Sequence, residues 1–367
     1  MLGDALPTNE KYGIGISALT LAEETDFSSH AEYHVTPSKG LELYTWKEAV
    51  LQEEISVILE RLFTSELFPA SSSRSILFGQ AFFRTGLVVY VQPTLDEAGN
   101  HKEETLQLET MLPLGTAADM IVVIAKEGAR VKIESHLKEG QESSVFGRTI
   151  IVLTEGDSHV EIFSHASGAR GTIFMENIAL VAAHAHCDWI EDPNAPLAYR
   201  SRTISLLLGE EATSQILHTL IATANAQYDI WAGVTHHASN THSHVYAIGL
   251  ADDASKIIYR GMINMQSGVA QVDGAQEGKF LILSPKAEID AIPELDIASK
   301  DVASSHKLSV SHIRDVDLFY AKTRGIKESE ARELAIEGFF GSLLAKIKHT
   351  AMMEEISTRI HRLAKAD

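Results

Sequence analysis

The chain has 367 residues, 45% of them apolar, and sets 31 Lys and Arg against 50 Asp and Glu for a net charge of −19. That acidic surplus argues against a phosphate-binding surface, so nucleic acid and anionic membranes are set aside as partners. A single cysteine, Cys187, excludes an intrachain disulfide framework and any four-cysteine metal site built from this chain alone.

The first residues carry no basic region leading into an apolar run, and no segment approaches the roughly 18 to 20 apolar residues of a membrane span. A cytoplasmic protein is expected. Residues 41–68 repeat apolar groups at three- and four-residue steps (Ala49, Ile55, Ile58, Leu59, Leu62, Phe63), a helical stripe with Glu and Gln opposite. This predicts a mixed, helix-containing N-terminal domain over residues 1–105.

From about Leu106 the pattern shortens to runs such as Met120-Ile-Val-Val-Ile, Val131-Lys-Ile-Glu, His159-Val-Glu-Ile-Phe, Thr172-Ile-Phe-Met and Asn177-Ile-Ala-Leu-Val. These read as strands of three to five residues, punctuated by Gly, Asp, Asn and Ser. The same texture continues through Phe280-Leu-Ile-Leu with no long helix, so residues 106–313 are expected to be all β. A sandwich, a barrel and a solenoid all remain open. The length of the run favours a solenoid, in which each coil buries its inward side chains against the next, although no crisp repeat is visible.

After His312 the period becomes helical again. Asp315 to Thr323 predicts a short helix with Gly325 at the left-handed C′ position and Ile326 as its apolar contact. Glu328 to Ala366 carries a continuous stripe through Phe340, Leu343, Leu344, Ile347, Ile356 and Ile360. Residues 314–367 are thus a C-terminal helical domain whose stripe packs on the β core or on a partner.

Several runs invite a chemical reading. His184-Ala-His186-Cys187-Asp188 would put two imidazoles on one strand face and the thiol on the other, which splits a three-ligand site; solvated histidines and a core cysteine are favoured. In His236-His237-Ala-Ser-Asn240-Thr-His242-Ser-His244 the last two histidines share a face, but no carboxylate follows, and polar packing is favoured there too. No P-loop or Gly-x-Ser-x-Gly elbow is present, and the pairs Glu210-Glu211 and Asp252-Asp253 read as solvated turn charges. No catalytic residue is assigned.

The most specific signal is an ordered series between residues 257 and 340: Tyr259-Arg-Gly-Met-Ile, Gln271-Val-Asp-Gly-Ala-Gln, Ala287-Glu-Ile-Asp, Ile292-Pro-Glu-Leu-Asp-Ile, Asp301-Val-Ala-Ser-Ser-His306, Leu318-Phe-Tyr and Arg324-Gly-Ile. This series resembles the SufB/SufD family of iron-sulfur cluster assembly proteins. The resemblance implies a mostly β chain: a right-handed parallel β-helix core, an N-terminal mixed α/β domain and a C-terminal helical domain.

It also implies a non-catalytic scaffold subunit that pairs with a SufB-like subunit or a second copy. A SufC-like ATPase would dock on the helical region, where Arg324, Gly325, Phe339, Phe340, Leu343 and Leu344 are the candidate contacts. His306 stands where SufD-type chains carry the histidine implicated in cluster assembly, and Ser304 and Gly278 stand where cysteines would be expected. The chain is therefore SufD-like. A transient iron-sulfur cluster shared with a partner would take His306 as a ligand or proton relay, since a neutral imidazole is a competent donor and a serine hydroxyl is not.

Two other readings stay open. One is a homodimeric scaffold in which Cys187 and His306 of both copies hold the cluster; the other is a β-helix carbohydrate-active enzyme.

Overall fold

A computed structural model describes residues 32–64, 83–138, 144–167, 170–194, 197–313, 315–344 and 356–361. Its core is a β-solenoid of about seven turns, each turn contributing one strand to each of two facing sheets. The first sheet stacks β5 (His101–Met111), β7 (Arg130–Lys138), β9 (His159–Ser167), β11 (His186–Asn194), β13 (Thr213–Ala222), β15 (His242–Ala251), β17 (Val272–Ile282) and β19 (Val302–His312). The second stacks β3 (Thr85–Val91), β6 (Thr116–Ala125), β8 (Val145–Thr154), β10 (Thr172–Val181), β12 (Ala198–Leu207), β14 (Gln227–His236), β16 (Lys256–Met265) and β18 (Glu288–Ile297).

All of these pair in parallel, and from β5 onward neighbouring rungs join residues 26 to 32 apart, as in Thr172 with Ala198 and Lys256 with Glu288. The strands run to about ten residues, twice the length that the apolar runs suggest. The reason is that a polar residue such as Glu176 continues the β10 backbone between the two runs read from sequence.

A repeat does exist, and it lies in backbone conformation. One corner of each coil holds a residue with left-handed φ: Gly128, Asp157, His184, Glu211, Asn240 and Gln271, at φ between 55° and 72°. At most of these corners the N–H of that residue donates to the carbonyl just before the same corner of the next coil, as in Gly128 to Gly156 (3.0 Å), His184 to Glu210 (2.9 Å) and Asn240 to Ala270 (3.0 Å). The residue that follows is small or β-branched and fully inside: Ala129, Ser158, Ala185, Ala212, Thr241, Val272. The corner backbone groups are thus satisfied from coil to coil, as buried amides must be.

The two ends differ. At the N-terminal end β1 (Glu32–Pro37) pairs antiparallel with β5, and β2 (Leu41–Thr45) pairs antiparallel with β3, while β4 (Thr94–Leu95) adds to β5. Residues 41–45, read from sequence as the start of a helix, are this capping strand. The helical stripe begins later, as α1 (Trp46–Ala49), closed by a Thr45/Glu48 capping box, and α2 (Glu53–Thr64). Ala49, Ile55, Leu59 and Leu62 pack on the outer face of the second sheet against Val88, Met120 and Val122. Residues 65–68 lie outside the described residues. At the other end β18 and β19 each keep one edge without a strand partner among the described residues.

The C-terminal helices cover part of the first sheet's outer face. The first, α3 (Asp315–Thr323), ends in a Schellman motif: Ile326 N–H donates to Ala321 O (3.1 Å), Gly325 N–H to Lys322 O (3.0 Å), and Gly325 has φ 82°. The second, α4 (Glu328–Leu344), and the helical residues 356–361 bury Ile336, Phe340, Ile356 and Ile360 against Phe163, Ile221, Tyr246, Ile248 and Leu281. Arg359 clamps this layer down, its guanidinium bonding both Asp192 oxygens at 2.7 Å in a buried pair. The apolar stripe is therefore spent, in the described residues, on the protein's own sheet.

Candidate functional site

Inside the solenoid the side chains are mostly apolar, but polar layers interrupt them. Near the capped end Arg148 crosses from the second sheet to the first, pairing with Asp119 and donating to Ser135 Oγ (2.8 Å) and Thr110 Oγ1 (2.7 Å). Further along, Glu191 sits in a cage of Asn177 (2.9 Å), Tyr199 (2.9 Å), Ser201 (2.6 Å), Thr203 and His218 (3.2 Å). Burial opposes its charge, yet His218 and the hydroxyl donors outweigh that and hold the carboxyl down at about 2.

Beyond this cage lie buried polar groups that have no hydrogen-bond partner among the described residues: Tyr259 Oη, both Gln276 amide atoms and Ser304 Oγ. The His218 and Tyr259 rings are 6.0 Å apart, and small residues make room for these groups, since a Cβ at Gly261 would meet the Gln276 amide. Gln276 is the register partner of His306.

His306 itself lies on β19, the last rung. Its neighbours at even spacing, Ser304 and Leu308, pair with Gly274 and Gly278 of β17, so this line of β19 continues the inward face. Among the described residues no further rung covers it, and His306 is exposed. Leu295, Ile297 and Val310 are exposed at the same end. Gly278 has a steric reason: a Cβ there would stand 2.0 Å from Leu308 Cδ2 and 3.0 Å from Phe280 Cε2. A cysteine at this position would have to displace Leu308.

Cys187 is elsewhere. It is fully buried in the apolar interior of β11, four rungs from β19 or about 19 Å at 4.8 Å per rung, and burial pushes its thiol well above the ordinary range. The structure does not bring Cys187 and His306 together.

The histidine runs resolve differently from their sequence appearance. His184 is not on a strand at all; it occupies the left-handed corner, with Nδ1 3.2 Å from Glu211, so it does not share a face with His186. A tight turn has replaced the regular alternation assumed for the run. His186 does point outward, and Cys187 inward. His236 is a satisfied core histidine, bonded to Thr241 (2.7 Å) and Ser243 (2.8 Å), and burial lowers its pKa to about 4. His242 and His244 lie together on the outer face of β15. Glu211 and Asp253 are corner residues, as their turn composition suggests.

Around the helices, Arg324 is exposed and stacks on Tyr320, 5.3 Å from the ring centroid. Phe339 lines a pocket of about 270 Å³ with Leu281, Ile313, Leu318 and Leu334. Phe340 is wholly buried against the first sheet, whereas Val316, Phe319 and Tyr320 of α3 are exposed. The side chains of Leu343 and Leu344 lie outside the described residues. No helix among the described residues is long and apolar enough to cross a membrane.

The fold is a β-solenoid with a histidine on the last rung of its described residues and the one cysteine four rungs away. Residues 110–339 match the family model for the SUF system FeS cluster assembly, SufBD core domain, and the chain belongs to this family. It is similar to an iron-sulfur cluster assembly SufBD family protein of Staphylococcus aureus (strain USA300), 24% identical over 345 residues that cover 90% of this chain and 70% of the relative. A SufBD family protein of Staphylococcus saprophyticus is 23% identical over 341 residues, with the same coverage. Iron-sulfur cluster assembly is thus the process the chain serves.

Proposed function

We propose that the chain is a SufD-like, non-catalytic subunit of the SUF scaffold. It pairs through the open β18/β19 end with a SufB-like subunit or a second copy, and an ATPase subunit docks on α3 and α4. The observation that carries this reading is His306, a solvent-accessible donor on a rung with no further strand partner among the described residues, an edge that a strand of another molecule can extend. Three exposed apolar side chains flank that edge, and unpaired edges of this kind are templates for strand addition.

A nascent cluster is cargo here. One imidazole cannot hold it alone, since clusters take about four ligands, mostly thiolates. His306 therefore contributes one ligand or a proton relay at the seam, and the remaining donors come from the partner. The exposed face of α3, with Phe319 and Tyr320 beside Arg324, is the docking surface for the ATPase, while Phe340 holds α4 against the sheet. A cytoplasmic location fits this role.

The test is anaerobic co-purification with the other SUF components, followed by iron and acid-labile sulfide analysis. His306→Ala should still co-purify with its partners but lose most of the iron and sulfide. Unchanged cluster content in that variant would overturn the assignment. The homodimeric reading needs a reactive thiol, and the burial of Cys187 opposes it; Cys187→Ser is expected to leave bound iron unchanged.

A further inference from the structure

Two coils meet on the outer face of the first sheet in a way the chain order conceals. His159 of β9 and His186 of β11 are register partners, and Asp188 stands two residues beyond His186 on the same face. The two rings pack edge to face with centroids 4.5 Å apart. His186 Nε2 lies 2.8 Å from Asp188 Oδ2, and His159 Nε2 lies 3.9 Å from the same oxygen. One donor atom from each of the three residues can be chosen so that all lie within 4.8 Å of one another.

The surrounding bonds orient this set. Gln215 N–H donates to Asp188 Oδ1 (3.1 Å), which leaves Oδ2 turned toward the imidazoles. Thr213 Oγ1 contacts His186 Nδ1 and holds the ring so that Nε2 faces Asp188, donating its N–H to Oδ2; a bound cation would take the place of that proton. His159 Nε2 is buried with no hydrogen-bond partner among the described residues, although the residue as a whole is partly exposed. That nitrogen faces the same Asp188 oxygen that His186 engages, so both imidazoles converge on one carboxylate.

We infer that His159, His186 and Asp188 form a binding site for a divalent first-row transition ion, with at least one coordination position open to solvent. Two imidazoles and one carboxylate are the donors that suit zinc or ferrous iron. Ligand atoms around a tetrahedral ion bound at about 2.0 to 2.1 Å stand about 3.3 Å apart, and the observed 2.8 and 3.9 Å straddle that spacing. The chain's net charge of −19 favours cation capture. The site is separate from His306, four to five rungs away, and does not depend on the role given to that residue.

The experiment is a titration of the chelator-stripped, full-length chain with Co²⁺ under anaerobic conditions, read by visible absorption and by thermal unfolding, and repeated with Fe²⁺. One equivalent should bind with d–d bands and raise the melting temperature. His159→Gln and Asp188→Asn should each weaken binding by roughly tenfold or more, and Thr213→Val by roughly tenfold. His159 is on the surface, so its variant keeps the test valid if changes at His186 disturb folding. His361→Ala, which disrupts the exposed Glu333/Glu337/His361 cluster on the helices, should bind as the native chain does. No Co²⁺ binding by the native chain, unchanged affinity in His159→Gln, or loss of binding in His361→Ala would each overturn the inference.

Discussion

Individual side chains in the lumen carry more of the stability than their apolar neighbours suggest. Glu191 is the clearest case, because its carboxyl sits at about 2 in the folded chain, below the about 4.3 of an exposed glutamate. A depressed folded value contributes stability above about pH 4.3, and that contribution is lost as pH falls toward 2. Glu191→Gln should therefore lower stability at pH 7 by about 2 to 3 kcal/mol and give a shallower acid-side loss, measured as denaturant midpoints from pH 7 to 2. Gly278 illustrates the opposite constraint. With Leu308 in the way, Gly278→Cys should cost about 1 to 3 kcal/mol, and adding Leu308→Ala should recover part of it. Equal stability of the single variant and the native chain would show that the strand end yields freely.

Elements are held in step by their corners. Most left-handed corner residues carry a side chain, and Ala224, at φ 56°, does so with no polar group to offset the strain. Ala224→Gly should raise the unfolding midpoint by the equivalent of about 0.5 to 1 kcal/mol, the left-handed cost less glycine's extra chain entropy. A lower midpoint would mean that chain entropy dominates there. This ladder also explains what the sequence hides. Position and type of the strands are legible from Val-, Ile- and Leu-rich runs, but the repeat is occupied by Gly, Asp, His, Glu, Asn and Gln in turn, so only the backbone angle recurs. His306 is legible because its neighbours form a continuous motif. The His159–Asp188 proximity is not, because it depends on a coil offset of 27 residues that only the pairing register reveals.

At the scale of the whole molecule, helices cover part of the outer faces and antiparallel strands extend the sheets at one end. The remaining edge is long, partly apolar and in register with the interior. Val310→Glu places a charge at that edge on a half-exposed side chain next to the buried Phe280, so the variant should fold with only a modest loss of melting temperature yet fail to pair, as read by sedimentation with the SufB-like subunit or with itself. Undiminished association would move the interface elsewhere.

The two ends of the solenoid also differ in chain direction. At one end the terminal strands β1 and β2 run antiparallel to their neighbours, whereas at the other β18 and β19 run parallel to theirs, so a strand arriving from another molecule meets a different template at each end. Pairing through β18 and β19, as proposed, would thus be set apart from the β1/β2 end by strand direction alone.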